Sequence, residues 1–260
     1  MSLDKSLFQQ PANKLLASLP ASDYEGLVAY LKLVPLPIGQ ILYEAAEPIT
    51  QVYFPHKAMV SIVTTMEDGS TAEVGIVSNE GMVGIPVILG DNITTTTAFV
   101  QISGTAMQIN ADVLRAEFNR GGAIQSVLLR YVQAVYSELA QGAACNGLHT
   151  IEERLARWLL TVSDRLESEN FPLTQEFISQ MLGVRRSSVT VAASTLSRAG
   201  MITYQRGHIR IMNRKDLEAT SCECHQVIQK EFARLLGFSP VTEPNNFFKL
   251  YVRNRTDWQN

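Results

Sequence analysis

Short runs of β-branched and aromatic residues, separated by turn residues, occupy the chain from residue 34 to residue 109. Examples lie at 51–54, 59–63, 74–77 and 98–102. The segment Glu67-Asp68-Gly69-Ser70 between two runs predicts a hairpin. Many short strands at even spacing are typical of a small antiparallel barrel or roll. The pattern therefore predicts a β domain over residues 21–120.

The hydrophobic period becomes helical after residue 120. Between residues 123 and 145, apolar residues recur at steps of three and four, which places them on one helix face: Ile124, Val127, Leu128, Tyr131, Val132, Val135 and Leu139. This face either packs on the β domain of the same chain or joins two chains, and we expect 121–147 to be a dimerisation helix. Thr150-Ile151-Glu152-Glu153 is a capping box that begins a second amphipathic helix, 151–166.

A helix, a glycine turn, a second helix and a basic hairpin are predicted in order after residue 170. Thr174 is a good N-cap for the first helix, and Gly183 allows a sharp turn at its end. The second helix opens with Arg185 and has small polar residues on its exposed side, so it can enter a major groove. The hairpin 201–211 is the predicted wing, and its basic residues suit phosphate contact: Arg206, His208 and Arg210. We therefore predict a winged helix-turn-helix over residues 148–220.

Charge supports this division of the chain. The net charge is −3. Residues 21–120 hold 4 Lys/Arg and 11 Asp/Glu, a net of −7, whereas residues 171–215 hold 7 Lys/Arg and one acid, a net of +6. A basic module on an acidic protein is the asymmetry expected when one part meets phosphates. Three cysteines form no disulfide framework, and no apolar run suits a membrane span or signal peptide, which favours the cytoplasm.

Two stretches of sequence, behind a β-roll and a long helix, resemble the Crp/Fnr family of bacterial transcription regulators. They are Leu-Ala-Arg-Trp-Leu-Leu at 155–160 and Leu-Thr-Gln-Glu-Phe-Ile-Ser-Gln-Met-Leu-Gly-Val-Arg-Arg-Ser-Ser-Val at 173–189. The resemblance covers roughly residues 22–216. It implies an α+β fold: an N-terminal antiparallel β-roll of the cyclic-nucleotide-binding type, a long dimerisation helix and a C-terminal winged helix-turn-helix.

The resemblance also implies partners and residue roles. A homodimer would bind double-stranded DNA at a two-fold symmetric operator, with half-sites ~34 Å apart, and RNA polymerase is a further candidate partner. Residues of the second helix match base-reading or groove-facing positions of the family: Arg185, Arg186, Ser187 and Thr190. Residues of the first helix match backbone-contacting positions: Thr174 and Gln175.

The sequence departs from the family where an effector would bind. Cyclic-nucleotide-binding members carry a glutamate after a glycine and an arginine before a serine, but here Gly84 precedes Ile85-Pro86, and Thr96-Thr97 precede Ala98. A buried phosphate without a cationic partner is costly. We therefore expect no binding of cyclic AMP in the family's usual way. Residues 1–50 hold no cysteine, so iron–sulfur ligation in the family's usual form is not expected either.

Other functions remain open. Cys222, Cys224 and His225 lie in the final predicted region, 221–260, a C-terminal helix and tail. They could make the protein a metal- or redox-responsive regulator. However, residues two apart on a helix point about 200° apart, which disfavours one ion held by both thiols. We therefore expect no cofactor. A ligand-binding scaffold without a DNA role is a further alternative. The β domain holds only His56, so we do not expect an enzyme.

Overall fold

The computed structural model describes residues 11–238 except Arg206. The predicted phosphate contact at Arg206 and the tail from residue 239 lie outside the described residues. The chain begins with two short helices, α1 (Lys14–Ala17) and α2 (Ala21–Val28). Asn13 caps α1 and also donates through Nδ2 to the carbonyls of Pro55 and Gly81, at 3.0 and 2.9 Å. The N-terminal segment is thereby fixed against the next domain.

The β domain is an antiparallel roll, as predicted. Its strands are β1 (Lys32–Leu36), β2 (Ile41–Tyr43), β3 (Gln51–His56), β4 (Met59–Thr65), β5 (Thr71–Val77), β6 (Thr97–Ile102) and β7 (Gly104–Asn110). One sheet has the order β1-β7-β3 and the other the order β2-β6-β4-β5. The predicted hairpin connects β4 to β5, with Val60 opposite Val77. Side chains such as Leu36, Val60 and Val100 fill the space between the sheets.

Two short helices lie within and directly after the roll, and the long helix follows them. A one-turn helix, α3 (Pro86–Leu89), lies between β5 and β6, and α4 (Ala111–Asn119) follows β7. Asn110 caps α4 by accepting from the backbone N–H of Asp112. The predicted long helix is α5 (Gly122–Leu148), 27 residues and therefore about 40 Å long.

Much of the predicted apolar face of α5 packs within its own chain, which is one of the two alternatives given above. Ile124, Val127, Leu128 and Tyr131 are all buried within their own chain, in the core that also contains α1, α2 and the C-terminal helix. Leu139 of the predicted face is exposed, together with three other large apolar side chains: Leu129, Tyr136 and Leu148. The helical period alone does not show which apolar residues of α5 pack inside the chain.

The C-terminal part has the predicted winged arrangement. Its elements are α6 (Ile151–Leu166), β8 (Asn170–Pro172), α7 (Gln175–Leu182), α8 (Arg186–Arg198), β9 (Ile202–Gln205), β10 (His208–Ile211), α9 (Arg214–Thr220) and α10 (Cys224–Leu236). The capping box at Thr150 is present, with Glu153 accepting from the Thr150 backbone N–H at 2.7 Å. Two helices follow the wing: α9 within the predicted winged part and α10 within the predicted C-terminal region, separated by residues 221–223.

The roll and the winged part pack against each other. Met59, Ile76 and Ile102 of the roll belong to the same hydrophobic core as the winged helices. Trp158 on α6 donates through Nε1 to Glu73 on β5 at 3.1 Å. The position of the winged helix-turn-helix relative to the roll is therefore set by buried contacts as well as by the chain connection.

Candidate nucleic-acid interface

The two helices α7 and α8 are joined by a tight turn. Thr174 caps α7 by accepting from the Phe177 backbone N–H at 3.2 Å. Gly183 ends the helix with φ +61° and ψ +37°, a left-handed conformation that suits a residue without Cβ. Arg185 is extended and serves as the N-cap residue of α8, so the helix begins at Arg186. The turn sets the start of α8 beside the start of α7.

The two faces of α8 divide as the sequence predicts. Its buried side is lined by small and medium apolar residues: Val189, Ala192, Ala193 and Leu196. The predicted DNA-contacting residues Arg185, Arg186, Ser187 and Thr190 are all exposed. Val191 is also exposed, at 61%, and was not predicted as a site residue. Its methyl groups lie on the accessible surface of α8 and suit apolar contact with a thymine methyl group.

Arg186 is held by a residue of the first helix. Its Nη1 lies 3.0 Å from Oε2 of Glu176, and both side chains are more than half exposed. An exposed pair of this kind contributes at most about 1 kcal/mol to stability. Thr190 lies near the same helix, because its hydroxyl is 3.5 Å from Oε1 of Gln175. Gln175 thus lies beside a residue that is predicted to face the groove, as well as at the start of α7.

A short strand, β8, holds the wing beside the start of α7. The sequence did not predict this strand. β8 pairs with β10, with Pro172 opposite His208. The Leu173 N–H donates to the Gly207 carbonyl at 2.7 Å, one residue before the cap of α7. His208 and Arg210 are exposed on β10. The predicted contacts at α7, α8 and the wing therefore share one surface of the described structure.

The residues at the positions where the family's cyclic nucleotide would bind make close local contacts. Gly84 has φ +114°, and a Cβ there would lie 3.1 Å from Val52 Cγ2, so the backbone packs closely before α3. The Thr97 hydroxyl accepts from the Ala45 N–H at 3.2 Å, and the hydroxyls of Thr94 and Thr96 lie 3.2 Å apart. These threonines make local hydrogen bonds without a cationic partner among those contacts.

The residues that surround Cys222 and Cys224 differ from those expected from the sequence. His225 lies away from the thiols and places Nε2 2.9 Å from Asp164 Oδ2. The residues that do converge are Cys145, His149, Cys222 and Cys224, with ligand atoms all within 4.8 Å of one another. The angular objection to Cys222 and Cys224 acting together was wrong, because only Cys224 lies on α10. The hydrogen bond between Cys145 and Cys222 lowers the pKa of the former and raises that of the latter.

Two family models match the chain over the parts described above. A cyclic nucleotide-binding domain matches residues 33–120, and a Crp-like helix-turn-helix domain matches residues 153–220. Together they cover more than half of the chain. The chain belongs to the Crp/Fnr family of transcription regulators. The fold of this Crp/Fnr regulator confirms the architecture expected from the sequence: β-roll, long helix and C-terminal helix-turn-helix domain.

Solved structures of other family proteins share this fold. FixK2 from Bradyrhizobium japonicum is 18% identical, with a TM-score of 0.65 over 74% of this chain and 98% of its own. The c-di-GMP responsive global regulator CLP of Xanthomonas campestris is 13% identical, with a TM-score of 0.60 over 74% and 99%. A CRP-family transcriptional regulator from Thermus thermophilus is 18% identical, with a TM-score of 0.60 over 72% and 96%.

No curated protein sequence matches the Crp/Fnr regulator at a significant level. Among the described residues, no helix combines the length and hydrophobicity that a transmembrane segment needs.

Proposed function

We propose that this Crp/Fnr regulator binds DNA sequence-specifically as a homodimer, on a two-fold symmetric operator, without cyclic AMP as its effector. The observation that carries the proposal is the exposed surface shared by α8, the start of α7 and the wing. Arg185 and Arg186 lie where the N-terminal residues of a recognition helix reach base edges. His208 and Arg210 lie on the adjacent hairpin, in a position that suits phosphate contact.

Sequence specificity is assigned to α8. Arg186 reaches beyond the helix, and an arginine can bond to guanine O6 and N7 together. Its pairing with Glu176 in the free protein keeps the guanidinium near the helix start. Ser187 and Thr190 are short enough to let the helix backbone approach the bases. Gln175 and Thr174 are assigned to the phosphate backbone, which fixes orientation and carries no direct sequence information.

Dimerisation is assigned to the exposed side of α5. Leu129, Tyr136 and Leu139 are 47%, 73% and 43% exposed, although they are large and apolar. Leu129 and Tyr136 are one heptad apart, the spacing of a helix–helix seam. Ala140 and Ala143 continue this exposed side with small residues, which permits close approach of a second helix. Two copies joined here would present two recognition helices, so the operator would be two-fold symmetric.

DNA binding is tested by selecting bound duplexes from a random pool with the full chain. Affinities for the selected site are then measured for the wild type and for Arg186→Ala. Losing a bidentate arginine–guanine contact costs about 1–3 kcal/mol, so we expect roughly 5- to 150-fold weaker binding and relaxed preference at one base pair. Arg210→Ala is expected to weaken binding to all sequences and to lower the salt slope by about one unit.

Arg120→Ala is the matched control, because Arg120 is exposed on the roll and pairs with Glu117. It should bind like the wild type. Selection of no sequence, or equal binding by Arg186→Ala and wild type, would contradict the DNA-binding proposal and favour a scaffold that uses its winged helix for protein contact.

Dimerisation is tested by sedimentation equilibrium of wild type and Tyr136→Asp. A charge in the apolar seam should shift the equilibrium towards the monomer, since burying an unpaired carboxylate is costly. Tyr30→Asp is the control, because Tyr30 is 48% exposed but lies before the roll. A monomeric wild type, or a Tyr136→Asp variant that dimerises unchanged, would refute this assignment.

A further inference from the structure

Four potential metal ligands converge where the long helix ends. Cys145 and His149 lie four residues apart at the end of α5, and therefore on the same side of that helix. Cys222 lies in the turn that precedes α10 and Cys224 is the first residue of that helix, about 75 residues later in the chain. Ser221 is extended and Glu223 is in the right-handed helical region, so the chain turns between the two thiols and directs both towards α5.

The distances suit one ion in tetrahedral coordination. Cys145 Sγ lies 3.6 Å from Cys222 Sγ, and Cys224 Sγ lies 3.6 Å from His149 Nδ1. Zinc bonds of about 2.3 Å to sulfur and about 2.0–2.1 Å to nitrogen place tetrahedral sulfurs about 3.8 Å apart and a sulfur about 3.6 Å from a nitrogen. An iron–sulfur cluster would spread its ligands over several irons, whereas these four atoms all lie within 4.8 Å of one another.

The surroundings favour coordination over ordinary packing. A buried cysteine normally behaves as a small hydrophobe among aliphatic neighbours. Here the three cysteines are 0–5% exposed and form a buried cluster of their own, separate from the hydrophobic cores. The three buried cysteines therefore contact one another and do not join one of the larger apolar cores.

Outer contacts orient two of the ligands. His149 directs Nε2 towards Glu223 Oε2 at 3.3 Å, which leaves Nδ1 facing the thiols. A carboxylate on the second nitrogen is the usual partner of a metal-binding histidine, because it fixes the ring and raises ligand basicity. Gln141 Nε2 lies 3.1 Å from Cys224 Sγ and can donate to a thiolate.

We propose that Cys145, His149, Cys222 and Cys224 form a structural site for one Zn²⁺ ion. Three sulfurs and one imidazole are a donor set of structural zinc sites, and soft sulfur donors disfavour Mg²⁺, Ca²⁺ and Mn²⁺. Cys145 and His149 lie where the winged helix-turn-helix begins, and Cys222 and Cys224 follow it. The ion thus joins both ends of this part of the chain, and its binding free energy adds to the stability of the folded state.

The test uses the full chain, purified under reducing conditions from zinc-supplied cells. Elemental analysis should give about one zinc per chain. After chelation, anaerobic titration with Co²⁺ should produce a thiolate-to-cobalt charge-transfer band and the intense d–d bands of tetrahedral cobalt, both removed by Zn²⁺. Chelation should also lower the melting temperature, and added zinc should restore it. These measurements require no variant and no DNA.

Variants distinguish the metal ligands from the residues that orient them. Cys145→Ser and His149→Ala should lose stoichiometric zinc, while Glu223→Gln should keep the cobalt spectrum and bind about 10- to 100-fold more weakly. His56→Asn is the control and should retain full metal content. Absence of the charge-transfer band in the wild type, a Cys145–Cys222 disulfide whose reduced form takes up no metal, or unchanged zinc in both ligand variants would each overturn the proposal.

Discussion

Arg165 connects the roll, the long helix and the winged part, and its replacement offers a strong test of how they are held together. Its side chain is 8% exposed near the end of α6. Nη2 lies 2.8 Å from both carboxylate oxygens of Glu138 on α5, and Nε lies 3.2 Å from Glu80 in the roll. Nη1 donates to the Ile76 carbonyl at 2.6 Å. Burial lowers the pKa of Arg165, but Glu138 and Glu80 outweigh that effect and raise it.

The expected cost follows from the two carboxylates that would lose their partner. Removing one member of a buried ion pair destabilises by about 3–5 kcal/mol, because a charge remains buried without compensation. Arg165→Met retains much of the apolar volume, so its effect reports mainly the lost charge and hydrogen bonds. For a domain of this size, about 2–4 °C per kcal/mol gives a melting temperature roughly 6–20 °C lower.

Thermal unfolding followed by circular dichroism at neutral pH measures this change. Arg198→Met is the matched control, because Arg198 is exposed at the end of α8, and a surface substitution of this kind usually changes stability by less than about 0.5 kcal/mol. Adding Glu80→Gln and Glu138→Gln to Arg165→Met should recover part of the loss, since no unpaired charge is then buried. A loss under about 1 kcal/mol, or no recovery in the combined variant, would refute the buried-charge explanation.

Two further predictions concern the roll. Burial raises the pKa of Glu73 to about 7, against hydrogen bonds from Ser61 and Trp158 that lower it. Because the folded pKa is above the unfolded one, the stability contributed by this group is complete below about pH 4.5 and is lost as the pH rises through 7. Between pH 5 and 8, the free energy of unfolding of Glu73→Gln should therefore vary by about 1–3 kcal/mol less than that of the wild type, as measured from melting temperatures at each pH. Melting temperatures that change with pH in the same way for both proteins would contradict this. Millimolar cyclic AMP should leave the melting temperature and DNA affinity of the wild type unchanged, because no arginine precedes Ala98, and a clear shift in either would show that this expectation is wrong.

Local signals predicted the helices well. The bounds of α6 agree with the sequence prediction, because Thr150 accepts a backbone hydrogen bond within the first turn of that helix. The same holds for Thr174 and Gly183 at the two ends of α7. Capping and helical period involve residues no more than about four apart, so the sequence contains the whole interaction.

Short strands were harder to predict. β8 has three residues, ends in a proline and exists through its pairing with β10. Nothing local distinguishes it from a loop. It nevertheless places His208 opposite Pro172, next to the cap of α7, and so positions the wing beside the predicted DNA-contacting helix.

The sequence alone determined the winged helix-turn-helix, its basic charge and the exposed side of its second helix, because each depends on residue type and period over short distances. Only the tertiary structure decided which side of α5 remains exposed and which residues meet Cys222. Cys145 lies 77 residues before Cys222, and packing of α10 against α5 brings their sulfurs within 3.6 Å. Such a contact has no periodic signature, since it depends on how separate helices pack. The sequence therefore suggested His225 as the histidine that accompanies the cysteines, whereas the folded structure places His149 beside them.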